Sequence, residues 1–256
     1  MTQIAGLEAQ CWVGGGILRK EDPELLIGQG RFVDDIALPG MEWLAFVRSA
    51  LAHANITRVD TAAAKEQPGV VAVFTGEDLG GDWAASMPCA WPIATRLLPD
   101  EPRSDARVPD HWPVAKDRVR YMGEIVAVVV ADSREHAADA VEAVEVDYEE
   151  LPVVTDLAEA LKAGSPILHE SLGSNEAYTW GMSNGEVDRV FDEAPVVVKE
   201  RYYHPRLIPN AIEPRGVVMH PVRAQGEFTV WSAIQIPHSS RSCSPSPSTS
   251  TRPRSG

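Results

Sequence analysis

Two segments near the end of the chain place polar residues where simple packing would not. The first, HPRLIPNAIEPR from His204 to Arg215, contains three prolines and an asparagine that hold Glu213 and Arg215 in a rigid loop. The second, WSAIQIPH from Trp231 to His238, has Gln235 at the end of an apolar strand pattern. A glutamine amide can donate a hydrogen bond to an oxo or carbonyl ligand and accept another.

A structural role is the alternative for both segments. Glu213 could form an ion pair with Arg215 that pins a crossover, and Gln235 could complete the backbone hydrogen bonds at a strand end. Elsewhere the chain shows no hydrolase elbow, Walker motif, zinc motif or dinucleotide fingerprint. Its seven histidines are too dispersed to nominate as metal ligands and are expected on the surface or in loops: His53, His111, His136, His169, His204, His220 and His238.

The bulk properties of the 256 residues exclude several classes of protein. A formal net charge of -14 argues against a nucleic-acid partner, because phosphate binding needs clustered Lys and Arg. The spacing of Cys11, Cys89 and Cys243 fits neither a metal motif nor a disulfide framework. No signal peptide is visible, and the longest apolar run, Ile125–Ala131, is far too short to span a bilayer. These features predict a cytoplasmic location with reduced thiols.

The elements that would position the polar segments form an α/β pattern. Strands are predicted at 43–47, 56–60 and 70–74, with Thr61 capping a short alanine-rich helix. The clearest unit begins at Glu124–Asp132, a strand apolar on both faces and therefore expected in the centre of a sheet. Ser133 is the predicted N-cap of the following helix, with His136 at the capping-box position, and the chain returns as a strand at 144–148.

The remaining pattern is less regular. Residues 80–113 read as a long surface excursion, and short helices are predicted at 157–163 and 185–194. Strands are predicted at 196–203, 217–219 and 228–232. Residues 1–16 read as a flexible arm, and residues 239–256 read as a disordered tail, because Cys243 is the only apolar residue there.

Taken in order, several stretches resemble the large, molybdopterin-binding subunit of the molybdenum hydroxylases, the family of xanthine dehydrogenase, aldehyde oxidase and aerobic carbon monoxide dehydrogenase. The opening stretch runs from Arg19 to Gly40 and contains IGQGRFVDD. It is followed by FVRS, AHA, PGVVAVFTG, MGEIVAVVVA, VDYEELPV, GEVD, RLIPNAIEPR and finally WSAIQIPH. The order and spacing make the resemblance specific over roughly residues 17–238.

The resemblance implies a fold of the α/β (α+β) class. Residues 17–152 would form an α/β hammerhead domain, residues 153–175 a linker, and residues 176–238 the incomplete start of a molybdopterin-binding domain. It also implies a molybdenum–molybdopterin cofactor with a cytosine dinucleotide, held in part by Gln235, whose amide would hydrogen-bond an oxo ligand of molybdenum. The implied partners are an iron–sulfur subunit and an FAD subunit that carry electrons away. The substrate stays open among CO, purines, aldehydes and heteroaromatics.

The chain departs from the family pattern after Gln235. The family continues into a glycine-rich loop and, much later, a catalytic Glu, and neither follows here, so no catalytic residue is assigned. We interpret the tail as a frameshift near codon 239 and expect an N-terminal fragment that neither retains the cofactor nor acts alone. The alternative is a stand-alone hammerhead module that docks partner subunits without catalysis.

Overall fold

The computed structural model of the chain describes residues 15–16, 18–83, 86–87, 107–178, 185–222 and 227–235. These residues form two compact units. The larger unit is Pro39–Tyr203, and the smaller unit combines residues up to Leu38 with residues from His204 onward. The predictions for the three cysteines, the N-terminal arm, the tail and most of the 80–113 excursion fall largely or wholly outside the described residues. Within the described residues, no helix is long and apolar enough to cross a membrane.

The larger unit contains two three-stranded antiparallel sheets. Their strands, numbered along the chain, are β1 Trp43–Arg48, β2 Ala54–Asp60, β3 Val70–Thr75, β4 Arg118–Val119, β5 Ile125–Ala131 and β6 Glu145–Glu150. The first sheet has the order β1-β5-β3 and the second has the order β4-β2-β6. The helices of this unit are α2 Ala62–Lys65, α3 Gly76–Leu79, α4 Arg134–Glu142, α5 Leu157–Ala160 and α6 Val187–Glu193, with a short 3₁₀ turn at Glu170–Leu172.

Strand β5 lies in the centre of its sheet, as its apolar sequence predicts. It pairs with β1 through Phe46↔Val128 and with β3 through Phe74↔Val128. Val126 and Val129 are fully buried, and α4 packs against β5 and β1. A strand flanked by two others exposes no free ladder edge, so an uninterrupted apolar run is tolerated there without creating a pairing surface.

The N-caps of α4 and α2 are both predicted from the sequence, and the structure agrees with these predictions only in part. Ser133 is the N-cap of α4, since its Oγ accepts a hydrogen bond from the His136 backbone N–H over 3.1 Å. The His136 ring does not close a capping box; its Nδ1 lies 2.5 Å from Asp132 Oδ1. Thr61 is the N-cap residue of α2, as predicted, but its side chain makes no capping bond, and Asp60 Oδ1 accepts the bond from the Ala62 N–H instead. A carboxylate accepts such a bond more strongly than a hydroxyl does.

The strand after α4 enters the second sheet rather than returning to the first. β6 runs antiparallel to β2, with Ile56 opposite Tyr148 and Val59 opposite Val146. Val146 and Tyr148 are half-buried on its inner side and pack on the core, while the alternate positions are exposed acidic residues. The alternating pattern therefore predicts a strand with one face exposed to solvent, but it does not predict which strand β6 pairs with.

The segment after β6 holds both a confirmed helix and a wrong strand. The helix predicted at 185–194 is present as α6, although its apolar side chains Val187, Val190 and Phe191 are exposed. The strand predicted at 196–203 is wrong: these residues make no ladder, and Val196, Val198 and Tyr202 are exposed. β-branched and aromatic residues favour strands because they pack well on a sheet. Residues 196–203 have no neighbouring strand to pair with in the described part of the chain, so they form no strand.

The smaller unit contains a β-hairpin. Helix α1 is Asp22–Leu26, a 3₁₀ turn covers Val33–Asp35, and strands β7 Val217–Val222 and β8 Glu227–Ser232 pair antiparallel. The register places Val217 opposite Ser232 and Val218 opposite Trp231. The two strands predicted at 217–219 and 228–232 are therefore confirmed.

Candidate functional site

Gln235 lies just beyond the end of β8, in the smaller unit, with an exposed side chain. The backbone between the strand and Gln235 is anchored, because the Ala233 N–H donates to the carbonyl oxygen of Gly216 over 3.3 Å. Gly216 directly precedes β7, so this bond extends the hairpin by one step toward Gln235. The last residues of the predicted segment, 236–238, fall outside the described residues.

Glu213 has a structural partner, and that partner is not Arg215. Its Oε1 accepts a hydrogen bond from the Val33 backbone N–H over 3.2 Å. Within the described loop no ion pair links Glu213 to Arg215, so the predicted alternative of a Glu–Arg pair is wrong. The carboxylate caps the start of the 3₁₀ turn, where a backbone donor would otherwise lack a partner.

The same turn also contacts the start of β7. An ideal Cβ on Gly216 would lie 3.1 Å from Val33 Cγ1, which is tighter than ordinary van der Waals contact. Two contacts therefore meet at Val33: its N–H holds Glu213, and its side chain packs against the Gly216 backbone. Because Gly216 also holds Ala233, the turn at Val33–Asp35 supports the backbone that carries Gln235.

The side chain of Gln235 offers an amide that can form hydrogen bonds rather than a group that coordinates metals. An exposed neutral amide can donate to an oxygen atom of a bound group without competing as a metal ligand. Among the described residues, no group of three or more His, Cys, Asp or Glu is placed to hold a metal ion. The single exposed amide of Gln235 could reach a bound group, and Glu213, bonded to Val33, is not placed as a free base.

A second group of polar side chains is brought together only by the fold. His111 and His169 line one cavity of the larger unit together with Arg120 and the buried carboxyl of Glu124. The sequence does not group the two histidines, because they lie far apart in the chain. The sequence signal that could have found them is the turn RYMGE before β5, where Gly123 has a φ of 90° and Glu124 directly precedes a buried strand. Because Glu124 directly precedes a buried strand, its carboxyl is also buried, which is rare for a glutamate.

Two family descriptions match the chain. Residues 27–152 match "Aldehyde oxidase and xanthine dehydrogenase, a/b hammerhead domain". Residues 168–244 match "Molybdopterin cofactor-binding domain", which contains the hairpin and Gln235. The predicted limits at 17–152, 153–175 and 176–238 are close to these matches and stay predictions.

Individual relatives agree with the family matches. The chain is 37% identical over 232 residues to the carbon monoxide dehydrogenase large chain of Hydrogenophaga pseudoflava, covering 86% of this chain and 27% of that one. It is 33% identical over 231 residues to the nicotine 6-hydroxylase large subunit of Paenarthrobacter nicotinovorans, covering 90% and 27%. Among solved structures, quinoline 2-oxidoreductase from Pseudomonas putida 86 superposes with a TM-score of 0.74 at 31% identity, covering 90% of this chain and 28% of that one. The chain thus spans about 27% of the length of the two curated relatives.

Proposed function

The chain belongs to the family of molybdopterin-binding large subunits of the aldehyde oxidase and xanthine dehydrogenase type, and we propose that it forms the hammerhead and the first cofactor-contacting segment of a molybdenum-dependent oxidoreductase. The family binds a molybdenum–molybdopterin cofactor, which supplies two-electron oxidation chemistry when bound. The cytosine dinucleotide form of that cofactor belongs to the proposal.

One observation carries the proposed role of Gln235. It lies exposed after β8, inside the stretch that matches the molybdopterin-binding domain, on backbone anchored to Gly216. An anchored amide is better placed than a free loop to hold a fixed donor toward an oxygen atom of the cofactor, because less motion is lost on binding. This chain would contribute orientation, and the substrate pocket would be built by residues of the rest of the enzyme.

The partners are proposed from the same relatives. The relatives are named as large chains or large subunits, which implies multi-subunit enzymes. We propose that electrons leave the molybdenum centre through an iron–sulfur subunit and an FAD subunit. The substrate class stays open among CO, aldehydes, purines and nitrogen heterocycles, because relatives named for different substrates match the chain about equally well.

A chimeric enzyme tests the proposal. Residues 27–235 would replace the matching part of the Hydrogenophaga pseudoflava large chain, co-produced with that enzyme's other subunits. We expect the chimera to retain molybdenum and to oxidise CO. Gln235→Leu should then lower molybdenum content or activity by roughly 10- to 100-fold, the effect usual for residues that orient a metal centre.

The matched control is Gln67→Leu, which removes a glutamine amide beyond α2 in the larger unit. It should leave both molybdenum content and activity near those of the parent chimera. A folded chimera without molybdenum would contradict the family role proposed for these residues. A Gln235→Leu chimera with full activity would contradict the role proposed for Gln235.

The 256-residue chain alone is a separate case. We propose that it does not retain the cofactor, because one exposed amide is a weak hold for a large group that its relatives bind with chains several times longer. Metal analysis of the chain purified from a cofactor-producing host tests this directly. Stoichiometric molybdenum would contradict it.

A stand-alone hammerhead that docks partner subunits is the second candidate, and the distribution of the core favours it. Every buried apolar side chain among the described residues lies between Val47 and Ala140, inside the stretch that matches the hammerhead. That core could fold without any cofactor segment. Cooperative unfolding of residues 39–203 together with an inactive chimera would favour this candidate, whereas an active chimera would favour the enzyme.

A further inference from the structure

The larger unit contains a cavity of about 250 Å³ between the segment before β5 and the segment around His169. Nine ionisable side chains line it: Asp110, His111, Lys116, Asp117, Arg118, Arg120, Tyr121, Glu124 and His169. All of them lie outside the hairpin that carries Gln235. The volume suits a ligand of a few heavy atoms, smaller than the usual drug-sized site.

Two of the basic groups are already occupied. Arg118 donates from Nη1 to Glu170 Oε1 over 2.7 Å and from Nε to Asn55 Oδ1 over 2.8 Å. The Lys116 ammonium lies 4.0 Å from the centre of the Trp112 ring, a cation–π distance. These contacts engage both charges, so Arg120 and the two histidines are the basic groups in the lining with most capacity left to bind a ligand.

Arg120, His111 and His169 are the basic groups left in a lining that also contains the carboxyls of Asp110, Asp117 and Glu124. Arg120 is positioned by its Nε–H, which donates to the Leu168 carbonyl oxygen over 3.1 Å next to His169. Burial lowers the pKa of the His169 imidazole, and the charges of Arg120, His111 and His53 lower it further. The Coulombic effect of Arg120 is the part of this shift that also favours a negative ligand, whereas desolvation, its largest cause, opposes a charge of either sign.

Glu124 forms the interior end of the cavity with 7% of its surface exposed. Its Oε2 accepts a hydrogen bond from the Arg120 backbone N–H over 2.5 Å. Desolvation raises the pKa of this carboxyl, against the opposing effects of the Arg120 backbone bond and of the Arg120 and His111 charges. The raised pKa weakens the charge that this carboxyl would set against an anion.

We propose that this cavity binds a small soluble oxyanion, a free carboxylate or phosphate species, between Arg120, His111 and His169. The guanidinium supplies N–H donors, each imidazole can supply an N–H donor, and Glu124 closes the inner end of the site. A divalent cation is not the ligand favoured here, since no set of three metal-ligating side chains converges within the described residues.

The test uses the purified full chain and two probes, inorganic phosphate and acetate, titrated by calorimetry at constant ionic strength. We expect one saturable site for at least one probe, and the probe that binds more tightly identifies the class of oxyanion. His111→Gln and Arg120→Gln should each weaken binding roughly tenfold, the usual effect of losing one charge-assisted hydrogen bond. His111→Gln is the safer variant, because His111 is exposed and its ring makes an edge contact with Tyr121 alone in the described part of the chain.

Binding should strengthen as the pH falls, because an anion in the site raises the pKa of His169 and binding therefore takes up a proton. The charged and titratable groups around His169 and in the same cavity are Arg118, Arg120, Lys116, Asp110, Asp117, Glu170, Glu124, Tyr121, His111 and His53. Glu124→Gln keeps a hydrogen-bond donor and removes the acid, so it should bind the probe at least as tightly as the parent above neutral pH.

Arg58→Gln is the matched control. Arg58 is an exposed arginine paired with Asp60, Glu145 and Asp147 on the second sheet, so its loss changes the net charge without touching the cavity. It should leave the affinity unchanged. Absence of saturable binding for both probes would overturn the proposal, as would an equal loss of affinity in Arg58→Gln and His111→Gln, which would indicate general charge attraction.

Discussion

The backbone N–H of Val33 donates a hydrogen bond to Glu213 Oε1 over 3.2 Å, joining residues 180 positions apart in the chain. Next to this bond, Val33 Cγ1 lies against the Gly216 backbone, whose carbonyl oxygen holds Ala233. The segment that carries Gln235 is thus tied to a turn near the beginning of the chain. A residue that reads as a loop carboxylate in sequence is a structural acceptor in the fold.

Removing that acceptor should loosen the turn. We expect Glu213→Ala to cost about 1 kcal/mol locally, seen as roughly fivefold faster amide hydrogen exchange at Val33. Glu213→Gln keeps a carbonyl acceptor and should restore most of the protection. Equal exchange at Val33 in the parent and in Glu213→Ala would contradict the assigned bond.

The centre of the first sheet should be sensitive to small changes in volume. Val129 is fully buried on β5, so Val129→Ala removes apolar contacts and leaves a cavity, lowering the free energy of unfolding by about 2 kcal/mol. Val71→Ala on β3 is the control, since Val71 is 56% exposed and should change stability by less than about 0.5 kcal/mol. Urea denaturation followed by circular dichroism measures both. Similar losses in the two variants would contradict the assigned core.

Gly69 should be intolerant of a side chain for two reasons. Its φ is 73°, and an ideal Cβ would lie 2.1 Å from His136 Nδ1 and 2.3 Å from Asp132 Oδ1. Gly40 has a φ of 70° and open space around its Cβ, so Gly40→Ala isolates the backbone strain, about 1–2 kcal/mol. Thermal unfolding should show Gly69→Ala to be less stable than Gly40→Ala. Equal losses would mean that the Asp132–His136 pair moves aside freely.

The Asp132–His136 pair predicts a pH dependence. The hydrogen bond to Asp132 raises the pKa of His136 above its ordinary value, and the charges of Asp132, Asp139 and Glu135 act in the same direction. Because the folded-state pKa is the higher one, the stabilisation is fully present below the ordinary histidine pKa of about 6.5 and is lost as the pH rises through the folded-state value.

Proton NMR titration of the His136 ring measures the effect. Asp132→Asn should lower the His136 pKa toward its ordinary value and reduce the stability difference between acidic and alkaline pH. Asp139→Asn is the control, because it removes a weaker, purely Coulombic contribution and should shift the pKa less. An unchanged pKa in Asp132→Asn would contradict the assigned pair.

The sequence by itself determined the features that depend on neighbouring residues. The apolar run Ile125–Ala131 predicts a central strand, Ser133 predicts the start of α4, and the local sequence predicts strands at 217–219 and 228–232. The order of short motifs was enough to indicate the family, and the family matches over 27–152 and 168–244 confirm it. Gln235 as a cofactor contact is a prediction from that resemblance.

The tertiary structure alone decided which distant groups meet. Alternation predicts β6 as a strand but does not choose β2 as its partner, and composition predicts a strand at 196–203 where no partner forms one. The Val33–Glu213 bond and the cavity shared by His111, His169 and Glu124 also follow from the path of the chain. Helix and strand propensities depend on residues that are close in sequence. Strand pairing and cavities depend on which distant segments come together, because the burial of apolar surface stabilises a contact whatever its separation in sequence.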